Sequence, residues 1–319
     1  MIKERIIVGE HSKYPLQGEL TLPDRIEVPA PAVVFVHGSG SSNMDEKVGK
    51  LTPFKDLAEG LAEHGIISIR YDKRSYAHGW KMLKDKSVPI TVKEETIEDA
   101  ILAAELLRKD ARVDANRVFI VGHSMGGMLA PRIDGEGGDF RGLILMAGSP
   151  RRIEEILMEQ TDEMLLSMKG LTKVIAEKQK KKLHHLFDGL YELSDEEAKK
   201  KKVGGGTTLY YFKEMGEHAV PTYLAESQKP MLIMQGDKDF QVKADLDFKL
   251  YQKILGDRTN VTYKLYENLN HAFVPSVYGN IASAKKEYSV EQHIGEEVIA
   301  DIASFIRNNS EERTVYGQN

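Results

Sequence analysis

One short stretch, residues 118–127 with the sequence VFIVGHSMGG, constrains the fold of this chain more than any other. Its apolar run ends at Gly122, and Ser124 and Gly126 follow at alternate positions. This spacing predicts a strand, a sharp turn and the start of a helix, because the two glycines let strand and helix pack closely around a strained backbone. The pattern also arises by chance, so the rest of the chain must decide whether Ser124 carries chemistry.

The composition is that of a globular protein and excludes several classes of function. With 319 residues, the chain can form one large α/β domain with an insertion, or two ordinary domains. The net charge of −5 argues against a nucleic-acid-binding surface. The absence of cysteine excludes disulfides, thiolate catalysis and cysteine metal sites.

Two features of the hydropathy predict a cytoplasmic protein. Residues 1–8 alternate charged and β-branched side chains and lack the apolar segment of a signal peptide. No stretch approaches the roughly 18 to 20 consecutive apolar residues that are needed to span a bilayer. We therefore expect no membrane span, and we take the cytoplasm as the default location.

Predicted strands and helices alternate along most of the chain. Residues 3–8 and 16–22 predict an antiparallel pair at a sheet edge. Apolar runs predict further strands at 32–36, 66–71, 118–121, 142–148, 230–235 and 261–266. Helical spacing predicts helices at 54–65, 91–109, from 125 onward, and 290–306, whereas 72–89 is predicted to be irregular. This alternation is typical of a mostly parallel, doubly wound α/β sheet.

Residues 149–228 interrupt the alternation with a charged, helix-rich stretch. We interpret this stretch as a helical cap inserted into a catalytic core that comprises residues 1–148 and 229–319. Its lysine runs, 180–182 and 199–202, could attract an acidic partner. Acidic residues are interspersed, however, so a solvated helix face is the favoured interpretation.

Two aromatic clusters are candidates for a pocket lining. Tyr76, His78 and Trp80 either line the pocket or anchor their loop on the surface. The cluster at 210–212 either covers the pocket or packs the cap onto the core. Asp99 lies on a predicted helix, where a surface or capping role is favoured over catalysis.

Backbone donors and candidate catalytic side chains follow several of the predicted strands. The loop 37–40, His-Gly-Ser-Gly, leaves backbone N–H groups unpaired at the carboxyl edge of the sheet, which is where open α/β sheets bind ligands. Asp237 and Asp239 follow a later strand, and His271 follows the last one. With Ser124, these residues give the order Ser, Asp, His at one edge of the sheet, so they can converge in one cleft.

This order resembles the α/β-hydrolase fold over nearly the whole chain apart from the cap. More narrowly, PFKDLA at 53–58 and RYDKR at 70–74 are similar to bacterial carboxylesterases related to dienelactone hydrolases and to the catalytic domains of prolyl-oligopeptidase-type enzymes. Residues 151–160 resemble the same group.

The resemblance implies a role for each candidate residue. Ser124 matches the nucleophile, His271 the general base and Asp239 the acid that orients the base. Asp237 is the rival for the acid, but the Gly-x-x-Asp spacing from Gly236 favours Asp239. The alternative bases, His218 and His293, are predicted on the cap and on the terminal helix, away from a strand end.

The implied activity is that of a carboxylesterase on small to medium or aromatic esters, acting through an acyl-enzyme. The oxyanion would be held by the backbone N–H groups of Met125 and Ser39, and neither a metal nor an organic cofactor is required. A serine peptidase, an acyltransferase or thioesterase, and a non-catalytic binding protein are the alternatives. The oligomeric state is left open, with a homodimer as one alternative.

Overall fold

The computed structural model describes residues 1–85, 87, 89–204 and 206–310, and its centre is an eight-stranded sheet in the order β1-β2-β4-β3-β5-β6-β9-β10. The strands are β1 Ile2–Val8, β2 Leu16–Leu22, β3 Ala30–Val36, β4 Ile67–Tyr71, β5 Val113–His123, β6 Leu143–Met146, β7 Lys202–Gly204, β8 Thr207–Thr208, β9 Met231–Gly236 and β10 Val261–Tyr266. β2 pairs with β1 and β4 in antiparallel fashion, and the remaining pairs of this sheet are parallel. The predicted mostly parallel sheet with an antiparallel edge is confirmed.

Helices cover both faces of the sheet. They are α1 Pro53–Glu63, α2 Arg74–Lys84, α3 Glu98–Lys109, α4 Met125–Ile133, α5 Ile153–Ser167, α6 Gly170–Phe187, α7 Asp195–Lys200, α8 Leu209–Glu217, α9 Val220–Glu226, α10 Lys249–Leu255, α11 Ala284–Glu287 and α12 Glu296–Asn308. A π-helical turn, Lys93–Ile97, leads into α3.

Two hydrophobic clusters lie on opposite faces of the sheet, because successive strand residues point to opposite sides. In β3, Val34 and Val36 join the cluster under α3, α4 and α10. Val33 and Phe35 join the cluster under α1 and α12. Burial on both faces explains why the central strands are continuous apolar runs.

The prediction that residues 72–89 are irregular is wrong, because α2 occupies most of this segment. Tyr76, Trp80 and Leu83 recur at helical spacing along α2, but they form an exposed stripe, and of this helix only Arg74 and Met82 are buried. The predicted surface or capping role of Asp99 is also wrong. Its carboxylate is buried, with 2% of the residue exposed, and accepts hydrogen bonds from the Arg74 guanidinium. Arg74 and Asp99 therefore join α2 to α3.

The terminal helix begins at Glu296 rather than at residue 290. Gly295 is its N-cap, and Ile294 packs into the hydrophobic cluster from the preceding loop. The helical spacing of Ile294 was therefore coincidental. His293 lies in this loop and not on the helix, with Nδ1 3.0 Å from a carboxylate oxygen of Asp56.

Helices α5 to α9 and the β7–β8 hairpin lie between β6 and β9. Leu190, Ala198, Leu209 and Phe212 form a hydrophobic cluster of their own in this segment. Further along, residues of α8 and α9 (Met215, Val220 and Leu224) pack into the cluster of the sheet. No helix within the described residues is sufficiently long and apolar to cross a membrane.

Candidate active site

Ser124 lies in a strained turn between β5 and α4. Its φ and ψ angles of 54° and −119° place a residue with a side chain in a left-handed conformation. A Cβ atom on Gly122 would lie 2.2 Å from the Gly126 oxygen, and one on Gly126 would lie 2.1 Å from the Val36 oxygen. The Ser124 N–H donates to the Met146 oxygen at 2.8 Å. The glycines are thus required by backbone contact, and the turn holds Ser124 at the carboxyl end of β5.

His271 and Asp239 form a buried hydrogen-bonded pair. Nδ1 of His271 lies 2.7 Å from Oδ2 of Asp239. The same oxygen accepts from the Gln235 side chain at 2.7 Å. The other oxygen accepts the backbone N–H groups of Gln241 at 2.8 Å and Val242 at 2.9 Å. With every Asp239 oxygen occupied by donors, the imidazole keeps its proton on Nδ1 and presents the Nε2 lone pair.

Asp237 and His218, the alternative acid and base, contact other partners. Asp237 Oδ1 accepts the Asn268 N–H at 2.6 Å, so its carboxylate fastens the turn that follows β10. His218 is exposed and has Nδ1 2.8 Å from the Tyr223 hydroxyl. It therefore lies among helices α8 and α9 rather than at a strand end. Within residues 1–85, 87, 89–204 and 206–310, no three histidine, aspartate or glutamate side chains are grouped as a metal site requires.

His123, the residue before Ser124, connects the turn to the histidine loop. Its ring packs on that of His271 with the centroids 4.8 Å apart, and its Nε2 lies 2.8 Å from the His271 carbonyl oxygen. His271 therefore lies directly beside the serine turn.

Glu46 continues this connection to the glycine-rich loop. One of its carboxylate oxygens lies 2.9 Å from Nδ1 of His123, and the other accepts the Gly38 N–H at 2.7 Å. Burial opposes charge on both side chains, but the mutual attraction outweighs it: the pKa of Glu46 is lowered and the pKa of His123 is raised. Glu46 could not be identified from the sequence, because it lies in a polar loop without any periodic pattern.

The buried side chains of His37 and Lys73 hold the glycine-rich loop in place. Burial lowers the pKa of His37 to about 4, so its imidazole is neutral at pH 7. Its Nε2 contacts the Asn43 oxygen at 3.0 Å. The Gly38 carbonyl accepts from the buried Lys73 ammonium at 2.8 Å. Both backbone groups of Gly38 are thus occupied by protein partners, and Ser39 is the next residue of the loop.

A cavity of about 500 Å³ lies beside these elements. Its wall includes Ser39, Met125, Trp80, Met82, Leu83, Ile153, Leu157, Tyr211 and Phe212. The two aromatic clusters therefore divide their roles. Trp80 lines the cavity, whereas His78 anchors the segment with Nε2 2.8 Å from the Pro15 oxygen. Phe212 both lines the cavity and packs in the separate cluster of the 149–228 segment.

Comparison with known proteins identifies the family. A family model described as "Serine aminopeptidase, S33" matches residues 27–275, and the chain belongs to this α/β-hydrolase family. The chain is 33% identical over 291 residues to the esterase EstD of Thermotoga maritima. That alignment covers 91% of this chain and 65% of EstD, so the chain spans less than two thirds of the length of its relative.

Solved structures of bacterial and archaeal esterases share the fold. Est1E from Butyrivibrio proteoclasticus superposes with a TM-score of 0.60 at 15% identity, covering 97% of this chain and 99% of Est1E. The Pyrococcus furiosus esterase Pf2001 superposes with a TM-score of 0.56 at 14% identity, covering 96% of this chain and 92% of that one. The predicted α/β-hydrolase fold is confirmed.

Proposed function

We propose that this protein is a serine hydrolase that cleaves carboxylic esters through an acyl-enzyme intermediate. The observation that carries the proposal is the buried His271–Asp239 pair beside the strained Ser124 turn, at the edge of an apolar cavity. The similarity to EstD over most of the chain favours esters as the substrates.

In the proposed reaction, Ser124 is the nucleophile and His271 is the general base. Nε2 of His271 accepts the hydroxyl proton as the Ser124 oxygen attacks the ester carbonyl, and it returns that proton to the departing alcohol. Asp239 keeps the imidazole in the tautomer with Nδ1 protonated and stabilises the imidazolium. Water then attacks the acyl-enzyme by the same route and releases the acid.

The proposed oxyanion donors are the backbone N–H groups of Met125 and Ser39. Met125 is the first residue of α4, where N–H groups point out of the helix and favour negative charge. The Gly38 N–H is already engaged by Glu46, so the loop's next donor, Ser39, is the one left to serve the substrate. Each such donor contributes roughly 3 kcal/mol to transition-state stabilisation.

The cavity wall supports small to medium acyl or aromatic esters as the substrate class. Trp80, Tyr211 and Phe212 provide aromatic faces, and a volume of about 500 Å³ suits a small molecule. We also propose that residues 149–228 act as a cap, because α5 and α8 supply part of this wall. The cytoplasmic location and the oligomeric state, including a homodimer, stay predictions.

Hydrolysis of p-nitrophenyl butyrate tests the proposal. We expect Ser124→Ala and His271→Ala each to abolish turnover with an unchanged circular dichroism spectrum. His293→Ala is the matched control, because that histidine is exposed and should be dispensable. Activity close to that of the wild type in either site variant would contradict the assignment.

Aminopeptidase activity is the second candidate, favoured by the description of the family. The same triad would cleave an amide if the cavity accepted an aminoacyl group. A panel of p-nitrophenyl esters, aminoacyl p-nitroanilides and acyl thioesters, compared by kcat/KM, separates the candidates. A preference for the anilides would replace the esterase proposal.

A further inference from the structure

A carboxylate, that of Glu95, lies in the largely apolar wall of the cavity beside Ser124. The π-helical turn before α3 buries three consecutive residues, Glu95, Thr96 and Ile97. Glu95 lines the cavity, and only 9% of the residue is exposed. Burying a carboxylate costs free energy, because the group loses its hydration, so a carboxylate that faces a cavity of this kind needs polar partners.

Two protein groups hold the Glu95 carboxylate without using all of its acceptor sites. The Tyr211 hydroxyl donates to Oε2 at 2.8 Å, and the Lys73 ammonium lies 3.6 Å from Oε1, which is longer than a hydrogen bond. Burial and the neighbouring Glu95 charge raise the pKa of Tyr211 well above its ordinary value, so its hydroxyl stays a donor. A carboxylate can accept about four hydrogen bonds, so sites are left for a ligand.

The Glu95 carboxylate is connected to the proposed reaction centre from two sides. The Tyr211 hydroxyl is 3.6 Å from Sδ of Met125, the residue after Ser124. The ammonium that faces the carboxylate donates to the Gly38 oxygen at 2.8 Å, and a Cβ atom on Gly38 would lie 3.1 Å from the Ser124 Cβ. A substrate with its carbonyl at Ser124 and its body in the cavity would therefore lie beside Glu95.

The charges at this point favour a neutral hydrogen-bond donor over an ion. The buried Lys73 ammonium balances the Glu95 carboxylate, so the pair carries no net charge. A substrate ammonium would be repelled by Lys73, and a substrate carboxylate would be repelled by Glu95. A hydroxyl brings no charge and donates one hydrogen bond, which is what the carboxylate can still accept.

A second polar group in the same wall is unpaired. Ser75 lies in the first turn of α2 and lines the cavity. Its hydroxyl is buried and has no hydrogen-bond partner among residues 1–85, 87, 89–204 and 206–310. Buried hydroxyls without a partner are rare in native proteins, so its position in the cavity wall supports a polar group on the ligand.

We propose that Glu95 is a specificity-determining residue that accepts a hydrogen bond from a hydroxyl group of the ester substrate. The preferred substrates are esters whose aromatic body packs against Tyr211 and Phe212 and carries a hydroxyl. Hydrogen bonds to ionised acceptors are about twice as strong as those between neutral groups, so a buried carboxylate discriminates well. The inference rests on the proposed esterase function and narrows its substrate class.

Matched pairs of esters, in which a methyl group replaces the hydroxyl, test this role. An acyl series consists of methyl hydroxyphenylpropanoates and an alcohol series of hydroxyphenethyl butyrates, each with the hydroxyl in the ortho, meta or para position. In at least one series, we expect kcat/KM for one hydroxyl ester to exceed that for its methyl partner about 10- to 100-fold. If no hydroxyl ester exceeds its methyl partner, the proposal is overturned.

Three variants assign the preference to the Glu95 carboxylate. Glu95→Gln should lower the ratio of the two kcat/KM values about fivefold or more, because an amide oxygen is a weaker acceptor. Tyr211→Phe should keep or raise the ratio, since it frees an acceptor site on Oε2. Glu98→Gln is the matched control, because its partly exposed carboxylate pairs with Arg74, and it should keep the wild-type ratio.

Circular dichroism and thermal unfolding verify that each variant is folded. An unchanged ratio in Glu95→Gln, or a lost preference in Tyr211→Phe or Glu98→Gln, would contradict the role of Glu95. If Glu95→Gln does not fold, the matched esters and Tyr211→Phe still decide.

The same esters separate failure of this inference from failure of the proposed function. If the wild type hydrolyses both members of every pair equally, the esterase proposal stands and the Glu95 subsite is wrong. If the wild type hydrolyses no ester, the esterase proposal fails, and calorimetric titration of the same pairs into Ser124→Ala decides on Glu95. Tighter binding of a hydroxyl ester would then support the subsite, and equal binding in all pairs would overturn it.

Discussion

Replacement of Asp239 by asparagine should disable the site while changing only one atom. The Oδ1 oxygen accepts the N–H groups of Gln241 and Val242, so those two bonds hold the asparagine oxygen in the same place. The new NH2 group then occupies the position of Oδ2, where it faces the Gln235 amide and His271 Nδ1. A donor there forces His271 into the tautomer protonated on Nε2, which cannot accept the serine proton.

The expected loss of activity follows from the tautomer protonated on Nε2. We expect kcat for p-nitrophenyl butyrate to fall about 10⁴-fold, because a base with its proton on the wrong nitrogen cannot act in the first step. The donor that faces Gln235 should also cost about 1–3 kcal/mol of unfolding free energy, measured by urea denaturation. Asp237→Asn is the matched control, with kcat expected close to that of the wild type. An Asp239→Asn enzyme that keeps full activity, or an Asp237→Asn enzyme that loses it, would refute the reasoning.

Four further outcomes are expected. Glu46→Gln should lower kcat/KM about 10- to 100-fold through a displaced glycine-rich loop. In the wild type, the Glu46–His123 pair should stabilise the fold fully between their ordinary pKa values of 4.5 and 6.5. That stabilisation is lost as pH rises through the raised pKa of His123 or falls through the lowered pKa of Glu46, and urea denaturation across pH should show a flatter profile in Glu46→Gln. Gly126→Ala should cost about 3 kcal/mol or more by urea denaturation, whereas Gly79→Ala, which has open space around it, should be tolerated. Trp80→Ala should raise KM for a naphthyl ester about fivefold in steady-state assays while leaving thermal stability unchanged, because Trp80 is 78% exposed.

The central strands could be predicted because burial on both faces leaves an apolar run in the sequence. β9 and β10 begin and end within one residue of their predicted bounds. α2 was missed although Tyr76, Trp80 and Leu83 recur at helical spacing, because these side chains are exposed and the helix buries only Arg74 and Met82. The partner that fixes it, Asp99, is 25 residues from Arg74, and local patterns carry no information about such a pair.

The candidate site could likewise be predicted only in part. Ser124, Asp239 and His271 follow strands, so their positions could be predicted from chain order, and their roles stay predictions. Glu46 could not be found, because it lies in a polar loop with a left-handed φ of 51°. Its bond to Gly38 and its contact with His123 depend on three segments meeting in space.

Covalent labelling of Ser124 tests the central claim most directly. The protein is incubated with a fluorophosphonate, and the intact mass and the labelled peptide are measured by mass spectrometry. We expect one adduct per chain, located on Ser124, with parallel loss of ester hydrolysis and no adduct in Ser124→Ala. Hydrolysis that continues without an adduct, or an adduct on another residue that accompanies the loss of activity, would contradict it.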